Sequence, residues 1–358
     1  MRVIDLRSDT VTLPTPEMRK AMYEAELGDD VFGEDPTVNR LQEMAAEVTG
    51  KEAALLVSSG TQGNLVSILA RCHRGDEIIV GSDAHIFLGE VGGAAALAGV
   101  QLRLVSNDEH GMMAPQAVRE AIRGPNIHNP PTTLLCIENT HNRCSGAVVT
   151  PDQIASLAAV VHPQGISIHL DGARVFNAAV YLELPVKELV KDVDDLSFCL
   201  SKGLACPVGS LICGTKEFVE RARKWRKVVG GGMRQAGIIA ACGVVALQTM
   251  VQRLAEDHEN AHVLAEGLAH VPGVHINPRR VQTNIVIFTV DGSREEFVAR
   301  LAEGGVKVTT SGDGIRMVTH YGIMRQDVEE ALVRAAKVAR GQASAGSIAS
   351  LSHGKGRA

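Results

Sequence analysis

Short apolar runs bounded by glycine, proline or polar clusters recur along the first two thirds of the chain, at 53–57, 78–80, 102–105, 133–138, 166–171, 195–200 and 211–214. Each is three to six residues long and bordered by turn-forming residues, which predicts buried strands rather than helices. Between them lie segments of helical spacing. Val38, Leu41, Met44, Ala45 and Val48 share one face of a helix over 36–50, and further helices are expected over 17–25, 115–122 and 151–161. Thr15 before Pro16 suits an N-cap followed by a first-turn proline. Strands alternating with helices predict an α/β domain. Residues 237–271 read as one long, largely helical connector, with Leu247, Met250, Val251, Leu254 and His258 spaced by threes and fours. Beyond it the pattern changes to strand 283–290, helix 294–302, strands 306–309 and 314–319, and helix 326–339, a smaller α+β domain. The expected division is an N-terminal arm at 1–17, a large domain at 18–250, a small domain at 251–340, and a Gly/Ser/Ala-rich tail at 341–358 expected to be disordered.

Three stretches carry chemistry. In the first, the strand 53–57 runs into Ser58, Ser59, Gly60, Thr61 and a helix start, which points backbone N–H groups and a helix dipole at a phosphate. In the second, the strand 166–170 ends in Asp171, with Arg174 three residues on. The third strand, from Asp195, leads into Ser201 and Lys202 before a turn containing Pro207 and Gly209. Alone, Lys202 reads as the first solvated residue past a strand, Asp171 as a helix cap, and Arg174 as the neutraliser of Asp171. Together, in this order, they supply what pyridoxal 5'-phosphate requires. That cofactor needs a phosphate cradle, a carboxylate for the pyridinium nitrogen, and a lysine whose amine, made less basic by partly apolar surroundings, bonds to its aldehyde. Arg316 sits between Ile315 and Met317 in an apolar strand, an awkward place for a charge without a partner, and a substrate carboxylate would be one.

Composition narrows the alternatives. The 358 residues are 45% hydrophobic and 3% aromatic, and carry a net charge of -5, so neither a basic surface nor stacking platforms for nucleic acid are indicated. The seven cysteines form no C-x-x-C pair and no metal-ligand spacing, so no metal is expected; they read as small buried hydrophobes in a reducing compartment. Arg2, Asp5, Arg7 and Asp9 interrupt any signal-peptide core, and the longest apolar run, 237–247, is too short for a bilayer. A soluble, cytoplasmic protein with no membrane partner is expected.

The motifs above, together with Asp5-Leu-Arg-Ser-Asp-Thr10, Gly28-Asp-Asp-Val-Phe-Gly33-Glu-Asp-Pro-Thr37, Glu138-Asn-Thr-His-Asn142 and Val229-Gly-Gly-Gly-Met-Arg-Gln-Ala-Gly237, closely resemble the low-specificity L-threonine aldolases over 3–340. The resemblance implies the aspartate aminotransferase fold, with a mainly parallel seven-stranded sheet and pyridoxal phosphate as cofactor. It also implies retro-aldol cleavage of β-hydroxy-α-amino acids to glycine and an aldehyde, and a homotetramer with active sites shared between subunits. By position it implies that Ser8, Arg174 and Arg316 meet the substrate carboxylate, and that His85 stacks on the cofactor and is a candidate base. His128 would lie near the substrate hydroxyl, and Lys227 and Arg234 would help bind phosphate or substrate at a subunit interface. Asn139 and His141 become candidates near the cofactor, while Glu138 reads equally as a structural acceptor. Phe32 and Gly89 depart from the family pattern, where a tyrosine and an aromatic are usual. A β-eliminating lyase or aminotransferase of the same fold, or a non-catalytic cofactor-holding protein, are the alternative readings.

Overall fold

The structure, a computed structural model, describes residues 2–352. The first strand, β1 (Ile4–Asp5), is followed by the seven that build the large sheet: β2 (Ala53–Val57), β3 (Glu77–Gly81), β4 (Gln101–Val105), β5 (Thr132–Glu138), β6 (Ser167–Asp171), β7 (Asp195–Cys199) and β8 (Ser210–Gly214). Their order across the sheet is β2-β8-β7-β6-β5-β3-β4. All neighbours are parallel except β8, which runs against both β2 and β7. The short apolar runs are strands because both faces are covered, and alternation divides each strand between two cores. Leu135 and Ile137 of β5 join the core on one side, and Leu134 and Cys136 join the core on the other. Five of the seven cysteines are buried and all are free.

The parallel arrangement sets where chemistry can occur. Val57, Ser210 and Cys199 lie side by side, as do Glu138 and Asp171, so the carboxyl ends of β2, β5, β6 and β7 share one edge. In open α/β sheets this is the edge where ligands bind.

The helices Pro16–Tyr23, Pro36–Thr49, Pro115–Ala121 and Pro151–Val161 fall where the apolar spacing places them, each with proline in its first turn. Thr15 caps the first by accepting from Met18 N–H. The loop 28–36, rich in glycine and acids, buries two of those acids, Asp30 and Asp35. Asp35 accepts from the N–H groups of Thr37, Val38, Gly28 and Gly237 at 2.9–3.2 Å, fastening the loop to two helices. Asp30 pairs with Arg226, which is itself buried and donates to the Leu56 carbonyl, so the basic helix Lys216–Val228 is not a wholly solvated face.

The expected connector is two helices, Gly237–Thr249 and Leu254–Ala269, bent by 72°. The bend falls where the chain leaves one core for another: Ala240, Cys242 and Ala246 pack in the large domain, whereas Ala261, Leu264 and Leu268 pack in the small one. No single described helix is long and apolar enough to cross a membrane. The small domain contains an antiparallel sheet of β9 (Val274–His275), β10 (Ile285–Val290), β12 (Thr309–Ser311) and β13 (Gly314–Val318). Separately, β11 (Val306–Lys307) pairs in parallel with β1. The N-terminal segment is therefore not a loose arm, because Ile4 and Leu6 are buried in the small-domain core. The last helix, Arg325–Ser352, extends through 341–352, where the sequence predicts a tail; 353–358 lie outside the described residues.

Asp35→Ala leaves four backbone donors without their acceptor at a buried position, and urea unfolding at pH 7 is expected to show a loss of about 2–3 kcal/mol. Unchanged stability contradicts the clamp.

Candidate active site

Each group at the carboxyl edge is placed by the element that ends there. The helix Gly60–Arg71 starts directly after β2, with Ser59 as N-cap accepting from Gln62 N–H at 3.2 Å. Gly60 must lack a side chain because a Cβ there would come within 2.8 Å of Cys199 Sγ at the end of β7. Ser59 and Thr61 are exposed at this turn, and no partner is recorded for the Gly60 and Thr61 N–H groups among the described residues. Ser210 Oγ, one strand away, is buried without a partner. A helix N-terminus with open amides and an unpaired hydroxyl beside it has the donor set a phosphate requires. Gly231 packs against Gln62, so the glycine run 230–232 borders the same cradle.

Asp171 is buried at the end of β6. Its Oδ1 accepts from Ala173 N–H at 3.1 Å and its Oδ2 from Asn64 Nδ2 at 2.9 Å. Arg174 does not neutralise it. That guanidinium turns to Asp9 and donates from Nε and Nη2 at 2.7 Å each, and Asn284 Nδ2 of the small domain also donates to Asp9. Burial alone would push the Asp9 carboxyl up, but the charge and hydrogen bonds of Arg174 outweigh it and hold the group well below its ordinary value. Ser8 lies alongside, its hydroxyl 3.4 Å from Asp9 Oδ1.

Arg316 of β13 points from the small domain to the same place. Its Nη2 donates to Asn142 Oδ1 at 3.1 Å, the oxygen that Arg174 Nη1 reaches at 3.4 Å. Arg316 Nε is buried with no partner. Burial, reinforced by the charge of Arg174, lowers the Arg316 guanidinium to about 10. Two guanidiniums sharing one neutral amide oxygen form a site short of anionic acceptors, as a carboxylate-binding site should be. Lys202 follows β7 and contributes to the field at Asp9, and no hydrogen bond or ion pair of its Nζ is recorded among the described residues. Ser201 beside it is half-buried.

His85 begins a short helical turn after β3, its N–H bonded to Glu138 Oε2 at 2.7 Å. Its Nδ1 lies 3.0 Å from Glu90 Oε1, and Glu90 also accepts from Asn64 Nδ2 at 2.8 Å. Ligand atoms of His85, Glu90 and Asp171 lie within 4.8 Å of one another. Glu138 serves as a structural acceptor, its other oxygen taking Asn142 N–H. Asn139 is likewise structural, clamped to the Val149 backbone in both directions. His141 is buried beneath Gly111, with neither ring nitrogen hydrogen-bonded.

Three of the expected residues are not brought to this cluster by the chain itself. His128 is exposed in the loop before β5, at the opposite end of that strand from Glu138. Lys227 is exposed, and Arg234 is more than half exposed and paired with Asp29. Conversely, sequence reasoning missed Asp9, Asn64, Glu90 and Asn142. Asp9 and Asn142 lie inside stretches that carried the resemblance, but a buried ion pair leaves no mark in spacing.

The beta-eliminating lyase family model matches residues 5–292. The chain is 44% identical over 340 residues to low-specificity L-threonine aldolase 1 of Arabidopsis thaliana, covering 93% of this chain and 95% of that one. It is 42% identical over 328 residues to the low specificity L-threonine aldolase of Escherichia coli, covering 92% and 97%. Among solved structures, the threonine aldolase of Leishmania major superposes with a TM-score of 0.81 at 18% identity, over 94% of this chain and 99% of that one. A serine palmitoyltransferase of Sphingomonas wittichii reaches 0.77 at 18% identity, over 96% and 88%, so the fold is shared more widely than the reaction.

Removing the Asp9 charge strands Arg174 in a buried site, so Asp9→Asn is expected to destabilise the protein by about 3–5 kcal/mol at pH 7. Because Asp9 titrates lower in the folded than in the unfolded chain, its contribution is full above the ordinary carboxylate value of 3.8 and fades as pH falls below it. Urea unfolding midpoints of both proteins, measured from pH 7 to pH 3, should keep a constant gap above the ordinary carboxylate value and begin to draw together below it; a gap that widens on acidification contradicts the pair.

Proposed function

This chain belongs to the beta-eliminating lyase family, and within it to the low-specificity L-threonine aldolases; from that premise we propose that it cleaves L-threonine, L-allo-threonine and related β-hydroxy-α-amino acids reversibly to glycine and an aldehyde, with pyridoxal 5'-phosphate as cofactor. The observation that carries this reading is that Arg174 and Arg316, one from each domain, converge on one neutral oxygen of Asn142, with Asp9 the carboxylate on Arg174 and with Arg316 Nε buried and unpaired.

When bound, pyridoxal phosphate supplies an aldehyde that bonds to amines and a protonated ring that accepts the electrons released as the Cα–Cβ bond breaks. The residues that would hold it are Ser59, Gly60 and Thr61 at the phosphate, Asp171 at the ring nitrogen and Lys202 at the aldehyde. Support for this placement comes from the open amides of the Gly60 turn, the unpaired Ser210 hydroxyl and the Asp171 carboxylate steadied by Asn64. Arg174 and Arg316 bind the substrate carboxylate, with Ser8 beside them, and so fix which bond at Cα is presented for cleavage. His85, or a water it holds, takes the proton from the β-hydroxyl as the aldehyde forms.

The assembly we propose is a cytoplasmic homotetramer in which a second subunit contributes His128, and in which Lys227 and Arg234 lie at the junction. Exposed Tyr23, Leu27, Val31, Phe32 and Val228 support burial of that region against another copy. Phe32, at 73% exposure, and Gly89, which has no side chain next to His85, favour acceptance of bulky aldehyde groups.

Incubation with L-threonine is expected to yield glycine and acetaldehyde in equal amounts. Formation of 2-oxobutanoate, or of an amino-group acceptor product, would assign the chain instead to elimination or transamination, and a cofactor-loaded protein without turnover would make it a binder. Arg316→Ala should raise KM for L-threonine by roughly 10- to 100-fold, the loss of one charge-assisted contact to the substrate carboxylate. An unaltered KM removes Arg316 from the substrate site.

A further inference from the structure

Glu90 is a buried carboxylate beside His85 that neither the cofactor cradle nor the guanidinium pair uses. It is 6% exposed, and a single oxygen, Oε1, meets both Asn64 Nδ2 at 2.8 Å and His85 Nδ1 at 3.0 Å. Asn64 is itself immobilised, because its Oδ1 accepts from Ser197 Oγ at 2.7 Å and lies 3.1 Å from His169 Nε2. His169 Nδ1 is 2.6 Å from Asp195, which Arg71 anchors from the far side. The amide of Asn64 thus holds Glu90 and Asp171 together with its two protons, and Glu90 in turn reaches the imidazole.

The other ring nitrogen is left open. No partner is recorded for His85 Nε2 among the described residues, and the space beside it exists because residue 89 is glycine. A Cβ there would lie 2.6 Å from Nε2 and 2.7 Å from Cδ2, so its nearest neighbour is the His85 ring. Gly89 has an ordinary backbone φ of -116°, so what it supplies is room for the ring rather than backbone freedom.

Building on the aldolase reading, we propose that Glu90 is a positioning residue for the cleavage step: pinned by Asn64, it holds His85 through Nδ1 so that Nε2 is the nitrogen presented to the substrate hydroxyl, in a pose that Gly89 makes possible. With Nδ1–H donating to Glu90, Nε2 keeps its lone pair and accepts the hydroxyl proton, giving an imidazolium stabilised by the carboxylate. The arrangement has the same logic as an acid orienting a histidine base in other enzymes. The charged groups facing His85 are Glu90, Asp171 and Glu138. All are acidic, and the hydrogen bond to Glu90 is the largest influence raising the histidine.

The test reads His85 in two ways. In the full-length chain, with and without pyridoxal phosphate, diethylpyrocarbonate modification at pH 5 to 9 followed by peptide mapping reports where the imidazole becomes neutral, and it requires no turnover. Glu90→Gln removes the charge that favours the imidazolium, so the midpoint at His85 should move to lower pH, and the acid limb of kcat/KM should move the same way. In the loaded enzyme kcat should fall roughly 10-fold or more with KM within about twofold. Glu90→Gln combined with His85→Asn should be no slower than His85→Asn alone. Gly89→Ala, whose added methyl meets the His85 ring first, should also shift the His85 midpoint and lower kcat with cofactor retained, and it serves as the test if Glu90→Gln does not fold. An unshifted midpoint in both variants, or effects of Glu90→Gln and His85→Asn that multiply, would overturn the proposal. A shifted midpoint in a chain that releases no glycine from L-threonine would preserve the dyad and reject the aldolase reading.

Discussion

The ion pair between Asp9 and Arg174 joins the three parts of the molecule that must meet for the site to exist. Asp9 comes from the N-terminal segment, Arg174 from the end of a central strand, and Asn284, the third member, from the small domain. Burying one of these charges without the other would be prohibitive, so the pair forms only when segment, sheet and small domain dock together. Once Arg174 is fixed by Asp9, its remaining Nη1 faces Asn142 and Arg316, and the second guanidinium completes a place where a carboxylate is favoured. The carboxylate site therefore depends on how the domains are closed, and not on any one element. Hydrogen bonds from Val148 N–H to Gln282 and from Thr283 to the Gly146 carbonyl fasten the same seam.

A second network organises the opposite side of the site. Arg71, Asp195, His169, Asn64, Asp171 and Glu90 form a continuous chain through the sheet. In a low-dielectric interior such a chain rigidifies its members, because each would be left unsatisfied if another moved. The two carboxylates share one amide, so their orientations are set together. On the proposed reading, the residues for the cofactor ring and for proton handling belong to one rigid unit, while Arg174 and Arg316 meet at the interdomain seam.

Much of this was legible in the chain. The strands of the large sheet are short apolar runs because both faces are covered, and Asp171 and Lys202 stand at strand ends because the carboxyl edge is where polar groups can emerge. Arg316 announced itself as a charge among Ile315 and Met317. The break between Thr249 and Leu254 was hidden because the helical spacing continues across it; which core each helix joins is decided by tertiary packing. Asp30 and Asp35 looked like loop acids because a carboxylate that accepts several buried N–H groups has no signature apart from its neighbours in space. Asn64 and Glu90 were invisible for the same reason. The resemblance implies a site role for His128, whereas the single chain leaves it exposed before the start of the central strand Thr132–Glu138, away from the carboxyl edge.

The central claim is that the Lys202 amine is the group that bonds to the cofactor. Borohydride reduction of the loaded protein followed by peptide mapping addresses it directly. A single stable phosphopyridoxyl label on the peptide containing Lys202 is the expected result; label on another lysine, or none, contradicts the assignment of the carboxyl edge as the cofactor site.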